Sequence, residues 1–170
     1  MPRPIVAFVR GVDRLNYWVG HVAMYLFFAL AAIMLWSTLS RALFGVPVNW
    51  AMEMSQFILS GYYLLGGAYA TQQGAHVRMD LFYAKLPPQR RAMLDAVTIL
   101  FTIFFLGVLL WGAISSTQYA IQYNQKNYSA WSPVLWPVKV TMTIGVFLML
   151  LQFIAQFFRD IAEARGKPIT

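Results

Sequence analysis

Residues 96–125 read AVTILFTIFFLGVLLWGAISSTQYAIQYNQ and contain no charged side chain. The stretch is 30 residues long, whereas a helix needs only about 20 apolar residues to cross the hydrocarbon core of a bilayer. Three other charge-free intervals cover residues 15–40, 54–75 and 140–158. Four intervals of this length predict an all-α membrane protein with four transmembrane helices.

The overall composition agrees with a membrane protein. Hydrophobic residues make up 59% of the 170 residues and charged residues 11%, less than half of the roughly 25% usual in soluble domains. The length predicts a single domain over residues 1–170. The absence of cysteine excludes disulfides, thiolate catalysis and cysteine-ligated metal sites. The first apolar run is too long for a signal peptide and has no Ala-x-Ala cleavage site, which favours an uncleaved first helix.

The positive charges are distributed unevenly between the two ends of these helices. Ten lie on the termini and the middle loop: Arg3, Arg10, Arg14, Arg78, Lys85, Arg90, Arg91, Arg159, Arg165 and Lys167. Three lie on the other two loops: Arg41, Lys126 and Lys139. The positive-inside rule therefore places both termini and the middle loop in the cytoplasm. The same rule accounts for the net charge of +7 without a nucleic-acid partner.

Breaker residues and apolar periodicity predict the helix boundaries. The helices are expected at about residues 15–40, 49–73, 88–124 and 137–158, with residues 1–14, 74–87 and 159–170 in the cytoplasm. Residues 3–15 are amphipathic at helical spacing, so they form either an interfacial helix or the cytoplasmic flank of the first helix. The third helix would be roughly 55 Å long, against a hydrocarbon core of about 30 Å, and should protrude on the periplasmic side.

One acidic residue, Glu53, lies inside an apolar run, one turn after Trp50. An ionisable residue in a transmembrane segment suggests a functional role. Its position near the outer interface, at the level of Arg41, favours a structural ion pair with Arg41 or a contact with a partner helix over ion coupling.

Two further patterns predict contacts between helices. Gln152 and Gln156 share a face of the fourth helix and are expected to form interhelical hydrogen bonds. Gly66, Gly67 and Gly112 are small enough to allow neighbouring helices to approach closely.

The sequence contains little that could support catalysis or solute binding. His21 and His76 are not expected at matched depth on facing helices, as a bis-histidine haem would require. No nucleophile with an adjacent base, phosphate-binding loop or metal-binding cluster is recognisable, and no charge lies near the centre of a helix. We therefore predict a non-enzymatic accessory subunit without a cofactor of its own.

Two blocks of sequence carry a family resemblance. The first combines Arg41 and Pro47 with Trp50 and Glu53 at the start of the second helix, and the second consists of Gly74, His76, Arg78, Asp80, Leu86 and Pro87. From residue 41 onward the chain resembles the small membrane subunit of tripartite ATP-independent periplasmic (TRAP) transporters. Many members have two consecutive acids where this chain has Met52 and Glu53, which weighs against a role for a carboxylate pair.

The resemblance implies a function within a larger complex in the bacterial inner membrane. A periplasmic substrate-binding protein would deliver an organic anion to the membrane subunits, and the large multi-helix subunit would hold the sodium and substrate sites. The small subunit would act as a rigid brace that also offers periplasmic surface to the binding protein, with bound phospholipid as a further expected partner. The segment with Trp131 and Trp136 is similar to that of a branch that transports bulkier organic acids.

Two sets of residues have expected structural roles. His76, Arg78 and Asp80 combine both signs of charge, and they would either hold the loop that follows Gly74 against the third helix, the partner subunit or lipid head groups, or form a solvated loop. Trp50, Trp131 and Trp136 would lie at the outer membrane interface. Two other functional classes stay open: a membrane anchor of a redox complex, and a small self-sufficient exporter that uses Glu53 as its coupling acid.

Overall fold

A computed structural model of the chain describes residues 3–73 and 88–164, and the side-chain surroundings of residues 5–73 and 97–162. It contains four long helices: α1 (Arg3–Phe44), α2 (Asn49–Gln72), α3 (Pro88–Gln122) and α4 (Trp136–Ala164). All four predicted helices are confirmed. The ends of α2 and α3 agree with the sequence to within two residues, whereas α1 and α4 are longer than predicted. The predicted loop at residues 74–87 and the last six residues of the predicted tail lie outside the described residues.

The first helix is longer than predicted because its amphipathic start is part of it. α1 is continuous over 42 residues, about 63 Å at 1.5 Å per residue. Val9 and Val12 are buried and pack with Ala155 of α4, beside Ile5 and Phe158. The part of the apolar face that carries Val9 and Val12 is therefore covered by protein, whereas Phe8 and Leu15 of the same segment are exposed. This packing favours the cytoplasmic flank of the first helix over a separate interfacial helix.

Three of the four helices are long and apolar enough to cross a membrane. The apolar spans are Ile5–Phe44 in α1, Val97–Gln122 in α3 and Trp136–Ala162 in α4. Within the described ranges, α2 does not reach the same hydropathy, since Glu53 and many serine, glycine, tyrosine and glutamine residues interrupt its apolar side chains. The fourth transmembrane span therefore remains a prediction.

The fourth helix is the centre of the arrangement. α4 packs against α1, α2 and α3, and α1 also packs against α2. Over the residues described, α3 has extensive contacts with α4 alone. One apolar cluster joins Ile99 and Leu106 of α3 to Val146 and Phe153 of α4. The result is an open array of helices in which α3 forms one edge.

Close approach of the helices depends on glycines. A Cβ atom placed on Gly145 of α4 would lie 2.7 Å from the Leu64 Cβ atom, and one placed on Gly20 of α1 would lie 2.4 Å from the Tyr69 ring. Gly67 also faces a neighbour, with the Met149 sulfur at 3.3 Å. The predicted role in close approach is therefore confirmed for Gly67. It is wrong for Gly66 and Gly112, since no atom of the described residues lies within 4 Å of such a Cβ.

The predicted orientation can be tested with single cysteines, because the chain has none of its own. A cysteine at the fully exposed Tyr128, between α3 and α4, should react with a membrane-impermeant thiol reagent on intact cells. A cysteine at Gln89, at the opposite end of α3, should react only after the cells are permeabilised. Protection at residue 128 combined with labelling at residue 89 in intact cells would show that the orientation in the membrane is the opposite of the predicted one.

Candidate partner-binding surfaces

A cluster of polar side chains, here called the polar joint, connects three helices. Asp13 and Asn16 contribute from α1, Gln72 from α2, and Gln152 and Arg159 from α4. The Asn16 Nδ2 atom donates to Gln152 Oε1 at 2.6 Å, and Gln152 Nε2 donates to Asp13 Oδ1 at 3.1 Å. The Arg159 guanidinium forms an ion pair with the other Asp13 carboxylate oxygen. Gln72 Nε2 donates to the Asp13 backbone carbonyl oxygen at 3.2 Å.

Helical spacing explains why these residues meet. Asp13 and Asn16 are three residues apart, and Gln152 and Arg159 are seven apart, so each pair lies on one face of its helix. Asn16 and Gln152 are completely buried, and burial of polar groups in an apolar protein requires that they hydrogen-bond to each other. The polar joint therefore holds α1, α2 and α4 together at the end that is predicted to be cytoplasmic.

The sequence predicts only part of the polar joint. The interhelical role of Gln152 is confirmed, whereas that of Gln156 is wrong, because its Nε2 atom donates to Asp160 Oδ1 on the same helix at 2.8 Å. Asp13, Asn16 and Arg159 are not among the predicted site residues. One signal was available for Asp13, which is the only acidic residue in the first 52 residues.

Glu53 is buried on α2, with 9% of its surface exposed. Its Oε2 atom has no hydrogen-bond partner, and no ion pair to Arg41 forms among the residues the structure describes. The reason is rotation around α2. Tyr69 packs against α1. Ala51 lies 18 residues before Tyr69, which is five full turns, so Ala51 is on the same face of α2. Glu53 follows Ala51 by two residues and is therefore rotated by about 200° from that face. Glu53 therefore faces away from α1 and is covered by other parts of this chain, and the predicted contact with a partner helix stays a prediction.

The three predicted outer tryptophans, Trp50, Trp131 and Trp136, are each about two-fifths exposed. Trp50 lies at the start of α2, Trp136 at the start of α4, and Trp131 in the connection between α3 and α4. These positions belong to the same end of the helix array, as the aromatic-belt prediction requires. Their depth in a bilayer stays a prediction.

The connection between α3 and α4 is an ordered hairpin, here called the outer hairpin (residues 123–135). Lys126 and Val134 form an antiparallel bridge. Two backbone hydrogen bonds flank it, from Asn127 N to Pro133 O at 3.0 Å and from Leu135 N to Gln125 O at 2.9 Å. The outer hairpin is thus a defined structural feature at the end of the overlong α3.

Polar contacts secure the outer hairpin to the helices on either side of it. Lys139 Nζ, on the first turn of α4, donates to Gln125 Oε1 at 2.8 Å and to the Ser116 carbonyl oxygen at 3.4 Å. The hydroxyl groups of Thr117 and Thr143 hydrogen-bond across α3 and α4 at 2.9 Å. These contacts fix the hairpin relative to the helix array.

Long apolar faces remain uncovered on the edge of the array. Among the described side chains of α3, the large apolar residues that are more than half exposed are Val97, Leu100, Phe101, Phe104, Phe105, Val108, Trp111, Tyr119 and Ile121. α1 carries a similar exposed set, including Trp18, Tyr25 and Trp36. In a protein whose helices span a bilayer, such faces contact lipid or another membrane subunit.

An apolar groove of about 630 Å³ lies between α1 and α2 and is lined by residues that include Phe27, Tyr63 and Gly66. His21 lines the same groove, and its Nδ1 atom lies 3.0 Å from the Tyr17 carbonyl oxygen. The four other predicted site residues, Gly74, His76, Arg78 and Asp80, lie outside the described residues, and their roles stay predictions.

A comparison with known protein families identifies the family to which the chain is related. The model of the DctQ component of tripartite ATP-independent periplasmic transporters matches residues 30–163, which include the last third of α1, all of α2 and α3, and all but the last residue of α4. No curated protein matches the chain. Since the match covers well over half of the 170 residues, the chain belongs to the DctQ family, the small membrane component of TRAP transporters.

Proposed function

We propose that this chain braces the large membrane subunit of a TRAP transporter and helps to dock a periplasmic substrate-binding protein. The assembled complex would use the sodium gradient to take up an organic acid anion across the bacterial inner membrane. Sodium and substrate would bind to the large subunit rather than to this chain. Family membership supports the general role. The positions of the exposed and charged residues support the assignment of the sodium and substrate sites to the large subunit.

The observation that carries the proposal is the one-sided packing of α3. This helix is 35 residues long and has extensive contacts only with α4 within the described residues. Bulky side chains such as Phe101, Phe104 and Trp111 remain more than 70% exposed. A rigid helix that is held on one side and apolar on the others is suited to lateral packing against a second membrane protein.

The internal polar groups support an accessory role rather than transport by this chain alone. A secondary transporter binds solute near the membrane midplane, at interrupted helices with available polar groups. Residues 96–125 contain no charge, and each of the four described helices is continuous. The polar joint lies near one end of the array, where its Asp13, Asn16, Gln152 and Arg159 side chains bind one another, while Asn16 Oδ1 and Gln72 Oε1 are buried without a hydrogen-bond partner among the described residues. The described helices therefore do not show the interrupted site near the midplane that an exporter would use.

Reconstitution of the purified components tests the proposal. The chain should co-purify with the large TRAP subunit, and the two together with the binding protein should give sodium-dependent uptake of an organic acid into liposomes. The chain alone, in liposomes with the same imposed sodium gradient, should give no saturable uptake. Saturable transport by the chain alone would contradict the proposal and support the exporter. Failure to associate with the large subunit would also contradict it.

A further inference from the structure

The exposed charges at the outer end of the array are all positive. Lys126 is exposed in the outer hairpin, and Arg41 is exposed in the last turn of α1. Glu53, the one acidic residue of this end, is buried on α2. No Asp or Glu occurs anywhere in residues 96–159. The outer hairpin therefore presents a positive electrostatic potential to the compartment that it faces, with no acidic neighbour along the chain to neutralise it.

Of the two lysines near the hairpin, Lys126 is the one available to a partner. The ammonium group of Lys139 is already bound to the Gln125 side chain and the Ser116 carbonyl oxygen, and thereby holds the hairpin in position. Lys126 lies opposite Val134 in the bridge, whose hydrogen bonds are made by the backbones of its neighbours Gln125 and Asn127, while the Lys126 side chain is exposed. The two lysines thus differ in role, one structural and one directed outward.

Three tyrosines line the same pocket as Lys126. A pocket of about 490 Å³ is lined by Lys126, Tyr119, Tyr123, Tyr128 and Ser132, among others. Tyr128 is fully exposed, and the rings of Tyr119 and Tyr123 lie 4.6 Å apart between centroids. Tyrosines are enriched in protein interfaces because they offer a large rigid surface together with a hydroxyl group.

The hairpin is also ordered before any partner binds. The Ser132 backbone N–H donates to Ser129 Oγ at 3.1 Å, and the Ser132 hydroxyl donates to the Ser129 carbonyl oxygen at 2.8 Å. These bonds close the tip of the hairpin, and the bridge at Lys126 closes its base. A surface that is already in its binding conformation loses little conformational entropy on association.

We propose that the outer hairpin is the docking surface for an acidic surface patch of the periplasmic binding protein. Lys126 supplies the charge that attracts the carboxylates of the partner, and Tyr128 supplies the aromatic contact at the centre. This inference rests on the proposed function and on the orientation that places the hairpin in the periplasm. It is more specific than that function, because it assigns the docking to one hairpin and to one sign of charge.

Charge reversal in the assembled complex tests the inference. The complex of this chain with the large subunit, in lipid nanodiscs, is exposed to the purified binding protein of the same transporter, and association is followed at low and at physiological salt. Lys126→Glu should slow association at least about tenfold at low salt and remove most of its salt dependence, since surface charges act mainly on the association rate. Lys126→Arg, the matched control, should behave as the wild type. Tyr128→Ala should instead speed dissociation.

The outcomes separate this inference from the proposed function. Unchanged association of the Lys126→Glu complex would overturn the docking assignment while leaving the proposed function in place. Loss of the large subunit from Lys126→Glu preparations would assign the hairpin to the interface within the membrane, and would overturn it as well. A wild-type chain that does not associate with the large subunit would overturn both. Restored association with a binding protein whose acidic patch is reversed to lysine would be the strongest support.

Discussion

Replacing Gly145 with leucine should remove most of the folded protein from detergent extracts of the membrane. A Cβ atom at this position would lie 2.7 Å from Leu64 Cβ and within 3.1 Å of the Leu64 backbone carbonyl group. Backbone atoms cannot move aside by a change of rotamer, so α2 and α4 would have to separate. Overpacking of a core costs about 1–3 kcal/mol, and we expect a value at or above the upper limit here.

Gly112→Leu is the matched control for this substitution. Gly112 lies in the apolar span of α3, and a Cβ atom there would have no neighbour within 4 Å. Both variants add the same side chain to a helix, and they therefore share any change in helix propensity. Size-exclusion profiles and melting temperatures of the purified chain should show a large loss for Gly145→Leu and little change for Gly112→Leu. Equal losses would show that α2 and α4 do not approach as closely as described.

Removal of the Asp13 carboxylate should have the second largest effect. In Asp13→Leu, the Arg159 guanidinium loses its ion-pair partner and the Gln152 amide loses an acceptor. Breaking a fully buried pair costs about 3–5 kcal/mol. Because the Arg159 side chain is 28% exposed and that of Asp13 is 17% exposed, we expect a smaller loss of about 2 kcal/mol after solvent screening.

A double-mutant cycle identifies the cause of that loss. Arg159→Leu alone should also destabilise the chain, but the combination with Asp13→Leu should be less destabilising than the sum of the two, since neither charge is then left without a partner. Arg14→Gln serves as the control, because Arg14 is adjacent to Asp13 in sequence and is exposed. Melting temperatures that simply add in the double variant would contradict a direct Asp13–Arg159 interaction.

The bounds of α2 and α3 could be predicted because they depend on local properties of the sequence. Gly45, Pro47 and the prolines at residues 87 and 88 lie where helical hydrogen bonding is expected to stop, and α2 and α3 begin within two residues of the predicted positions. The start of α1 depends on tertiary packing instead. Val9 and Val12 form an apolar face of α1 that is equally suited to contact with lipid or with protein. Their packing against Ala155 of α4 shows that the contact is with protein.

The candidate site was less predictable for a related reason. Glu53 and Arg41 lie at a similar height on two antiparallel helices, but Glu53 is on the face of α2 that points away from α1. The periodicity of the sequence shows which residues share a face of a helix, but it does not show which helix that face contacts. Asp13 and Arg159 are separated by 146 positions along the chain. Each of them alone resembles an ordinary cytoplasmic charge, and their pairing requires knowledge of which helices are adjacent.

The central position of α4 has a consequence for synthesis of the chain. Three of the four main interfaces between helices involve α4, yet α4 is the last of these four helices to leave the ribosome. Until residue 136 has been translated, the only one of these interfaces that can form is that between α1 and α2. The moderately polar α2 must therefore remain in the translocon, or beside α1, until α4, which packs against Leu64, is made. Packing of the four helices is thus a late event that depends on the synthesis of α4.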